Sequence, residues 1–484
     1  MIETPRYLGR LPHPSVGIRI PEVLLEGILN AYKKHRVAGG LELSYNRETA
    51  PKWVINAPPG VYEITRGHTG TSIESYLTLG ATFAKRKGVI VEMEADHLSV
   101  DISSAQAVKR ISGYKEEVKL TEKDIKLAID YVKSEIEEAI ATGYINFFTL
   151  DTCGLIDTSV EKLKESELEK RFYEEFNKTG ADKLITRYVQ RNYSFIGSSG
   201  QLFRVSIPKR RLMQIALKFK ASLDITFKMV NYLRSKMNKP FGIEIAFDET
   251  PYVTREDELL FYLSELHVKG IKPDFIAPNV GFEKKMDYIG DLNQLKRRVE
   301  MLSAIAMSYD AFLSFHSGSG SNPWSGKGPG VYEVLLAATG GNLKYKISGI
   351  YIELLMELLS SYPKGSRQRN LYEEIFNEVY RYVKGEVEKR GPLDSPALRR
   401  QLAEYEKKFK KANPYNPRIP LFRYYSFIAL NLRDKAGRRY LREGIVDLYE
   451  NDNNFRAKVD KEVEALTSRL INGLKFTNNI IKLK

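Results

Sequence analysis

Cysteine is almost absent from the 484-residue chain, since Cys153 is the only one. A single cysteine cannot form an internal disulfide, and it excludes a zinc site built from several cysteines. Any metal site would therefore need histidine and carboxylate ligands. A reducing compartment is expected.

Long apolar runs are also missing. No stretch approaches the roughly 18 uninterrupted apolar residues that a membrane-spanning helix needs. The first residues, MIETPRYLGRLPHPSVGIRIP, lack the apolar core of a secretory signal. The expectation is a cytoplasmic protein without a membrane segment.

Glutamine is scarce, with seven residues, whereas charged residues make up 28% of the chain. This balance, together with the single cysteine, is typical of thermophilic proteins. It predicts a melting midpoint above about 60 °C in calorimetry. A lower midpoint would contradict the interpretation.

The net charge of +14 allows two kinds of anionic partner. Lysine and arginine alternate with glutamate, as in VEKLKESELEKRFYEEF, instead of forming one basic arm. A nucleic-acid-binding protein is therefore the less favoured alternative, and salt-sensitive retention on heparin by a metal-free protein would indicate it. Attraction of a small anionic substrate is the preferred interpretation.

Strand-like and helical patterns alternate along most of the chain. Thr121 and Asp124 form a capping box, and apolar residues recur at helical spacing from Ile125 to Ile140 before Gly143 ends the helix. The predicted strands are GLELSYN or VYEITRG, then VIVEMEAD, YINFFTLD, FGIEIAFDE, DFIAPNV, AFLSFHS, LKYKIS and RYYSFIAL. Strands that alternate with helices pair in parallel, so eight of them predict an α/β fold, a closed (β/α)8 barrel of the TIM type. No GxGxxG motif follows the first strand, so no nicotinamide cofactor is expected.

The predicted organisation has three parts. Residues 1–40 are expected to be irregular, residues 41–450 to form the barrel, and residues 451–484 to form a helical tail. Two helical insertions, at about 158–240 and 352–420, are too long for simple barrel connections. They are expected between the third and fourth strands and between the seventh and eighth.

Polar residues gather where the predicted strands end. In a barrel of this kind, the carboxyl ends of all strands share one pocket. The residues at these ends are Asp96, His97, Asp151, Glu244, Asp248, Asn279, His316 and Lys346. His97, Glu244 and His316 come from three strands and suit a divalent cation with open positions for substrate. The alternative is that each histidine is a hydrogen-bonded structural residue.

The remaining carboxylates are candidates for proton transfer. The alternative is that one or two of them cap the following helices or orient a ligand histidine. Asp96 and Asp151 would have shifted pKa values if they lie near a metal and away from water. Strand alternation places Glu92 and Glu94 on the same face as Asp96, which makes Glu92 a residue of the barrel layers. Asp248 is interpreted as a turn or capping residue.

The segment HSGSGSNPWSGKGPG, from His316 to Gly330, is rich in glycine and serine. Its backbone amides and serines such as Ser317 and Ser319 are suited to an anion, to which Lys327 could add charge. A surface loop without a ligand is the alternative for the part beyond Ser319. Lys346 is different, because a lysine in a barrel mouth needs a carboxylate, an oxyanion or a carbonyl as its partner.

The motifs EADHLSV, GYINFFTLD, IEIAFDET, KKMDYIGD, FHSGS and LKYKISG occur in the order and spacing found in the tagaturonate epimerases, the UxaE-like enzymes that interconvert D-tagaturonate and D-fructuronate. The chain resembles this family from about residue 61 to residue 351. Beyond HSGS the glycine-rich loop departs from the family pattern, and RYYSFIAL stands where such enzymes tend to have a histidine.

The resemblance implies a metal-dependent barrel enzyme. A divalent ion, such as zinc, manganese, nickel or cobalt, would be held by His97, Glu244 and His316. Asp96 and Asp151 match acidic strand ends of the family. Further matches are Lys346 near the substrate and Lys285 in the turn before DYIGD. Ser317, Ser319 and Asn279 complete the predicted substrate-binding set.

The reaction itself limits the mechanism. The inverted carbon lies one bond beyond the carbon next to the ketone, so simple enolisation does not reach it. Two routes remain. The favoured retro-aldol route breaks a carbon–carbon bond, lets the aldehyde fragment turn and rejoins it, with Asp96 and Asp151 as the predicted proton-transfer pair. In the alternative route a nicotinamide oxidises the alcohol and reduces it from the other face, but the sequence has no dinucleotide-binding signature. The alternative function is another metal-dependent barrel isomerase, ketose 4-epimerase or aldolase, which an assay panel of uronates and neutral hexuloses would distinguish.

Overall fold

The computed structural model describes residues 3–62, 69–100 and 121–483. The eight strands that form its barrel are β1 His13–Gly17, β2 Gly39–Ser44, β5 Val91–Ser99, β6 Phe147–Asp151, β9 Gly242–Ala246, β10 Phe275–Ala277, β11 Phe312–Phe315 and β12 Leu343–Ile347. They pair in parallel and close in the order β1-β12-β11-β10-β9-β6-β5-β2. The predicted α/β barrel is confirmed.

Four further strands lie outside the barrel. They form two separate pairs, β3 Thr49–Ala50 with β4 Thr71–Ser72, and β7 Asn192–Ile196 with β8 Leu202–Ser206. The α-helices are Pro21–His35, Lys52–Ile55, Ile73–Lys87, Glu122–Ala141, Glu165–Tyr188, Lys209–Lys236, Glu256–Val268, Leu292–Ser308, Val331–Thr339, Ile350–Ser360, Arg367–Glu388, Pro396–Glu404, Pro420–Tyr425, Tyr440–Asn451 and Asn453–Gly473. Among the described residues, none of these helices has the length and apolarity needed to cross a bilayer.

The predicted irregular segment 1–40 contains the first strand and the first helix of the barrel, so that prediction is wrong. Ser15 of β1 pairs with Lys346 of β12 and with Gly40 of β2, and thereby closes the barrel. The strand was missed because His13 and Ser15 alternate with Pro14 and Val16, which interrupts the apolar pattern expected of a buried strand. VYEITRG, the alternative first strand, lies largely outside the described residues.

The predicted strand RYYSFIAL is also wrong. Its residues belong to the helix Pro420–Tyr425 and to a 3-10 turn, Ser426–Leu430. Pro420 fits the first turn of a helix, and packing of the buried aromatic side chains outweighs their strand propensity. The helical region 352–420 therefore follows the last strand instead of joining two strands.

The other additions are built into the molecule. Region 158–240 contains two long helices and, between them, the β7–β8 hairpin that the helical prediction missed. The C-terminal helix Asn453–Gly473 packs closely on the first helix, since a Cβ atom at Gly27 would lie 2.7 Å from that of Val463. Asn479 then donates to the carbonyl oxygens of Pro12 and Ala38 at 3.0 and 2.8 Å. The predicted tail is thus helical, and the hydrogen bond from Asn479 links it to Pro12, the residue before β1.

Charged side chains fill the interior of the barrel. Lys344 of β12 contacts Glu94 of β5 at 2.5 Å, and Ser15 of β1 donates to Glu94 and Glu42 at 2.8 and 2.9 Å. These contacts join strands across the barrel, and the residues that make them are at most 2% exposed. Polar residues on the inward face and apolar residues on the outward face produce the alternation seen in the strand sequences.

Candidate active site

A pocket opens at the carboxyl ends of the barrel strands. The predicted site residues that line it are Asp96, His97, Lys285, His316, Ser317, Ser319 and Lys346. Asp151 and Glu244 lie directly behind the two histidines. Asn279 is not brought to the pocket, because its side chain donates to the Thr250 carbonyl and accepts from the Gly281 amide, both at 2.8 Å.

The two histidines face each other in the pocket. Nε2 of His97 lies 3.1 Å from Nδ1 of His316. The other nitrogen of each ring contacts a carboxylate: Nδ1 of His97 lies 2.9 Å from Asp151, and Nε2 of His316 lies against Glu244. A carboxylate only accepts, so each of these outer nitrogens carries the proton. When neither inner nitrogen carries a proton, two ring lone pairs face each other, and a cation between them would stabilise the pair.

A bulge in β5 explains how adjacent residues share the site. The register with β6 shifts between Ala95 and Leu98, and His97 adopts a left-handed backbone with φ of 49°. Regular alternation would send Asp96 and His97 to opposite faces, whereas the bulge turns both toward the pocket. Ser317 and Lys285 are left-handed too, with φ of 56° and 58°. Strained backbone of this kind is concentrated at functional sites.

The inner atoms fit a divalent metal ion. Asp96 Oδ2 lies 3.7 Å from His97 Nε2, and one oxygen or nitrogen atom from each of Asp96, His97 and His316 falls within a common 4.8 Å. Asp248 adds a carboxylate whose Oδ1 lies 3.3 Å from His316 Nδ1. Among the described residues, neither oxygen of Asp248 has a hydrogen-bond donor. Asp96, His97 and His316 thus form a donor set that suits a cation, and Asp248 is a nearly buried carboxylate beside it that is left to accept a proton.

Asp248 lies in a turn, as the sequence interpretation predicted, but its side chain also lines the pocket and is 7% exposed. Burial would lower the pKa of His316, but the charges of Asp248 and Glu244 raise it to about 10. Without an ion, His316 therefore binds a second proton, and a metal ion would bind in place of that proton.

Asp151 is held by more partners than a proton-transfer group needs. Besides His97, it accepts from Arg47 at 2.8 Å, from Ser99 at 3.2 Å and from the Cys153 amide at 3.1 Å. Burial would raise its pKa, but the hydrogen bond from His97 and the charge of Arg47 hold that pKa below its usual range. This geometry favours an ionised residue that orients His97.

Lys346 is the cation at the centre of the pocket floor. Its Nζ donates to Asp96 and to Thr149 at 2.7 and 2.9 Å, and it lies 3.0 Å from Glu244. Burial would lower its pKa, but the charges of Asp96 and Glu244 raise it well above its usual value. Burial and charge also oppose each other at Asp96, where His97 and Lys346 hold the pKa well below its usual range. Asp96 is therefore ionised.

A basic rim surrounds this floor and was not predicted. Arg19, Arg47 and Lys284 line the pocket beside Lys285. Arg47 contacts Glu249 at 2.6 Å, and Lys285 contacts Glu353 at 3.1 Å. A signal for Arg47 was present, because this residue directly follows GLELSYN once that strand is assigned to the barrel.

Lys327 of the glycine-rich loop points inward, where its Nζ contacts the carbonyl oxygens of Glu283 and Ser319. Its side chain is fully buried and is not part of the pocket lining. Burial lowers its pKa to about 7, while the charge of Asp287 opposes that shift. Substrate anions are therefore not its partners in this arrangement.

The low pKa of Lys327 predicts a pH effect on stability. Above pH 7 the folded protein loses this proton, whereas the unfolded chain keeps it up to about pH 10. Relative to Lys327→Met, the wild type should gain about 2 kcal/mol in free energy of unfolding between pH 7 and pH 9. Denaturant titrations at both pH values measure this. A constant difference would contradict a depressed pKa.

Comparisons with known proteins identify the family and support the fold. A sequence profile of the tagaturonate epimerase family matches residues 112–389. The tagaturonate/fructuronate epimerase of Thermotoga maritima is 28% identical over 258 residues, which cover 52% of this chain and 48% of that protein. The matched region thus spans about half the length of this curated relative.

Solved structures show the same architecture. A glycerol complex of fructuronate-tagaturonate epimerase UxaE from Cohnella laeviribosi aligns over 97% of this chain and 83% of that one, with a TM-score of 0.64 and 18% identity. A second complex of the same enzyme, with two glycerols, aligns with a TM-score of 0.65 and 17% identity. At this identity the similarity shows the fold. The family profile covers more than half of the chain, and the chain therefore belongs to the tagaturonate epimerase family.

Proposed function

We propose that the protein is a divalent-metal-dependent epimerase that interconverts D-tagaturonate and D-fructuronate. The observation that supports this most is the facing pair His97 and His316, with Asp96 beside them, at the catalytic end of a barrel from this family. Lys284 and Lys285 line the pocket as ion pairs with Glu249 and Glu353, and each would share its ammonium group with the carboxylate of an anionic sugar. A panel of uronates and neutral hexuloses tests the substrate, and conversion of neutral hexuloses alone would contradict it.

Asp96, His97 and His316 would hold the ion. A divalent ion bound there would polarise the substrate ketone and offset the negative charge that develops on its oxygen. Glu244 and Asp151, placed behind the histidines, fix the ring orientation and the tautomer. The predicted ligand Glu244 is thus reassigned to an orienting role, and so is the predicted acid–base residue Asp151.

The residues of this chain suit a retro-aldol reaction. Asp248, with two unsatisfied oxygens, takes the proton from the hydroxyl group on the carbon to be inverted. That hydroxyl becomes an aldehyde as the bond to the neighbouring carbon breaks, and the bond's electrons move into the ketone-bearing fragment. The aldehyde turns, the bond forms again on its other face, and Asp248 returns the proton. Lys285, Ser317 and Ser319 would hold the substrate carboxylate during the turn.

This route makes a specific isotopic prediction. The hydrogen on the inverted carbon stays attached throughout, because only its hydroxyl proton moves. In D₂O, we expect epimerisation without deuterium at that carbon, as measured by NMR of the product. Deuterium at the inverted carbon would instead indicate direct proton abstraction and contradict the retro-aldol proposal.

Asp248→Asn separates proton transfer from metal binding. We expect turnover to fall by about 10² or more, because an amide cannot accept the hydroxyl proton. The metal content should be unchanged, since Asp96, His97 and His316 are intact. Asp182→Asn, on the helix Glu165–Tyr188, is a matched control at an exposed position. Unchanged turnover of Asp248→Asn would remove this residue from the mechanism.

A further inference from the structure

A second group of potential ligands lies inside the barrel, separate from the pocket lining. It consists of His13 of β1 and of Glu92 and Glu94 of β5, and all three are completely buried. The ring of Phe275 packs edge-on against His13, with centroids 5.6 Å apart. Solvent therefore has no direct contact with the group.

The protonation of His13 can be read from its contacts. Nδ1 lies 2.6 Å from the carbonyl oxygen of Leu11, which only accepts, so Nδ1 carries the proton. Nε2 points toward Glu92 Oε1 at 3.8 Å and Glu94 Oε1 at 3.7 Å. These separations are too long for hydrogen bonds. Within the described chain, Nε2 of His13 and Oε1 of Glu92 have no hydrogen-bond partner.

The two carboxylates are fixed in this arrangement. Glu92 accepts from the Leu8 amide through Oε2 at 2.7 Å. Glu94 accepts from Lys344 through Oε2 at 2.5 Å, and Ser15 donates to its Oε1 at 2.8 Å. Both glutamates are thus held in place and direct Oε1 toward His13. This oxygen of Glu94 also accepts from Ser15, whereas that of Glu92 has no donor among the described residues. A preorganised set of this kind loses little entropy when it binds an ion.

The distances fit a cation. An ion about 2.0–2.2 Å from each of two ligands spans a ligand separation of roughly 3.3–3.8 Å at tetrahedral to trigonal angles. The measured 3.7 and 3.8 Å lie at the upper end of that span. An oxygen-rich set with one imidazole suits zinc or manganese.

Carboxylates outnumber cations around this group. Glu42, Glu92 and Glu94 are buried beside two lysines, since Lys344 contacts Glu94 at 2.5 Å and Lys346 lies 3.7 Å from Glu42 and 3.8 Å from Glu94. Lys346 also pairs with Asp96 and Glu244, so five carboxylates share the two lysines. A divalent ion would reduce this excess, and buried charges without compensation are strongly unfavourable.

We propose that His13, Glu92 and Glu94 bind a second divalent cation, with a structural role. The ion links β1 to β5, which are separated in the barrel by β2. It joins the N-terminal strand that closes the barrel to the strand that carries Asp96 and His97. Because the ligands are sealed from solvent, the ion enters as the barrel folds and exchanges slowly afterwards.

Metal analysis of the full-length protein, produced with added zinc, tests this site. After native dialysis against EDTA, we expect one equivalent of zinc to stay bound and to be released only on unfolding. His13→Gln should lose this retained equivalent, whereas His267→Gln, at an exposed position, should keep it. His97→Gln should keep it as well, because that histidine belongs to the exchangeable site.

If His13→Gln does not fold, anomalous X-ray scattering from wild-type crystals at the zinc edge tests whether zinc occupies this site. A peak enclosed by His13, Glu92 and Glu94 is expected after EDTA treatment. A water or an empty space there, with no retained zinc in solution, would overturn the proposal. The outcome is independent of epimerase activity, so failure of one proposal does not imply failure of the other.

Discussion

His316→Gln should remove the EDTA-exchangeable metal and lower epimerase turnover by about 10³ or more. The magnitude follows because a metal that polarises a carbonyl contributes several kcal/mol to transition-state stabilisation, and each 1.36 kcal/mol is a factor of ten. Nδ1 of His316 faces His97, while its Nε2 is fixed by Glu244. Glutamine has no equivalent lone pair at that position. Elemental analysis and an NMR assay measure the two effects.

His267→Gln is the matched control for this experiment. His267 is exposed in the last turn of the helix Glu256–Val268, so the same substitution should leave metal content and turnover unchanged. If His316→Gln folds and retains both the exchangeable metal and wild-type turnover, the facing histidines are not the metal site. Loss of turnover with full metal content would place His316 in catalysis but outside the ligand set.

Lys346→Met should have the largest effect on stability. Lys346 is 4% exposed and contacts Asp96 at 2.7 Å and Glu244 at 3.0 Å. Its removal leaves these carboxylates buried without their cation, which typically costs about 3–5 kcal/mol. We expect a decrease of that size in the free energy of unfolding, measured by denaturant titration near pH 7. Lowering the pH should reduce the difference, because protonation of the carboxylates removes the uncompensated charge.

Lys236→Met provides the comparison. Lys236 forms an exposed ion pair with Glu137 at 2.9 Å, and removal of such a pair typically costs less than about 1 kcal/mol. If Lys346→Met and Lys236→Met lower the free energy of unfolding by the same small amount, Lys346 does not compensate buried charge. The view of the pocket floor as an ionised network would then be wrong.

Much of the barrel could be predicted from the sequence because its strands have a simple pattern. VIVEMEAD and LKYKIS alternate between residues that face the helices and residues that face the interior, and their polar ends mark the pocket. The first strand was missed because it is only five residues long and contains Pro14, which argues against a strand in the middle of a sheet. RYYSFIAL was assigned to a strand because aromatic residues favour strands in general, whereas local packing determines their conformation here.

The site could be predicted in part. Strand ends identified His97, His316, Asp96 and Lys346 as neighbours, and the pocket contains all four. The ring nitrogen or carboxylate oxygen that each residue directs into the pocket depends on contacts between distant strands and on the bulge at His97. The pattern of a single strand contains no information on these two features. That is why Glu244 was predicted as a ligand although it contacts the outer nitrogen of His316.

Asp248 and Asn279 show the same limit from opposite directions. Both lie at the end of a predicted strand, so their sequence contexts are alike. The chain after β9 folds back and brings Asp248 against His316, whereas the turn after β10 uses the Asn279 side chain for its own hydrogen bonds. Whether a residue after a strand lines the pocket or only stabilises its own turn therefore depends on the three-dimensional path of the loop.

The most direct test of the central proposal is conversion of D-tagaturonate by the purified protein, followed by NMR, before and after its exchangeable metal is removed. We predict that D-fructuronate forms with the metal-loaded protein, that EDTA treatment abolishes its formation, and that a divalent ion restores it. If the metal-loaded protein gives no D-fructuronate, or if conversion is unchanged after the exchangeable metal has been removed, the proposal of a metal-dependent tagaturonate epimerase is contradicted.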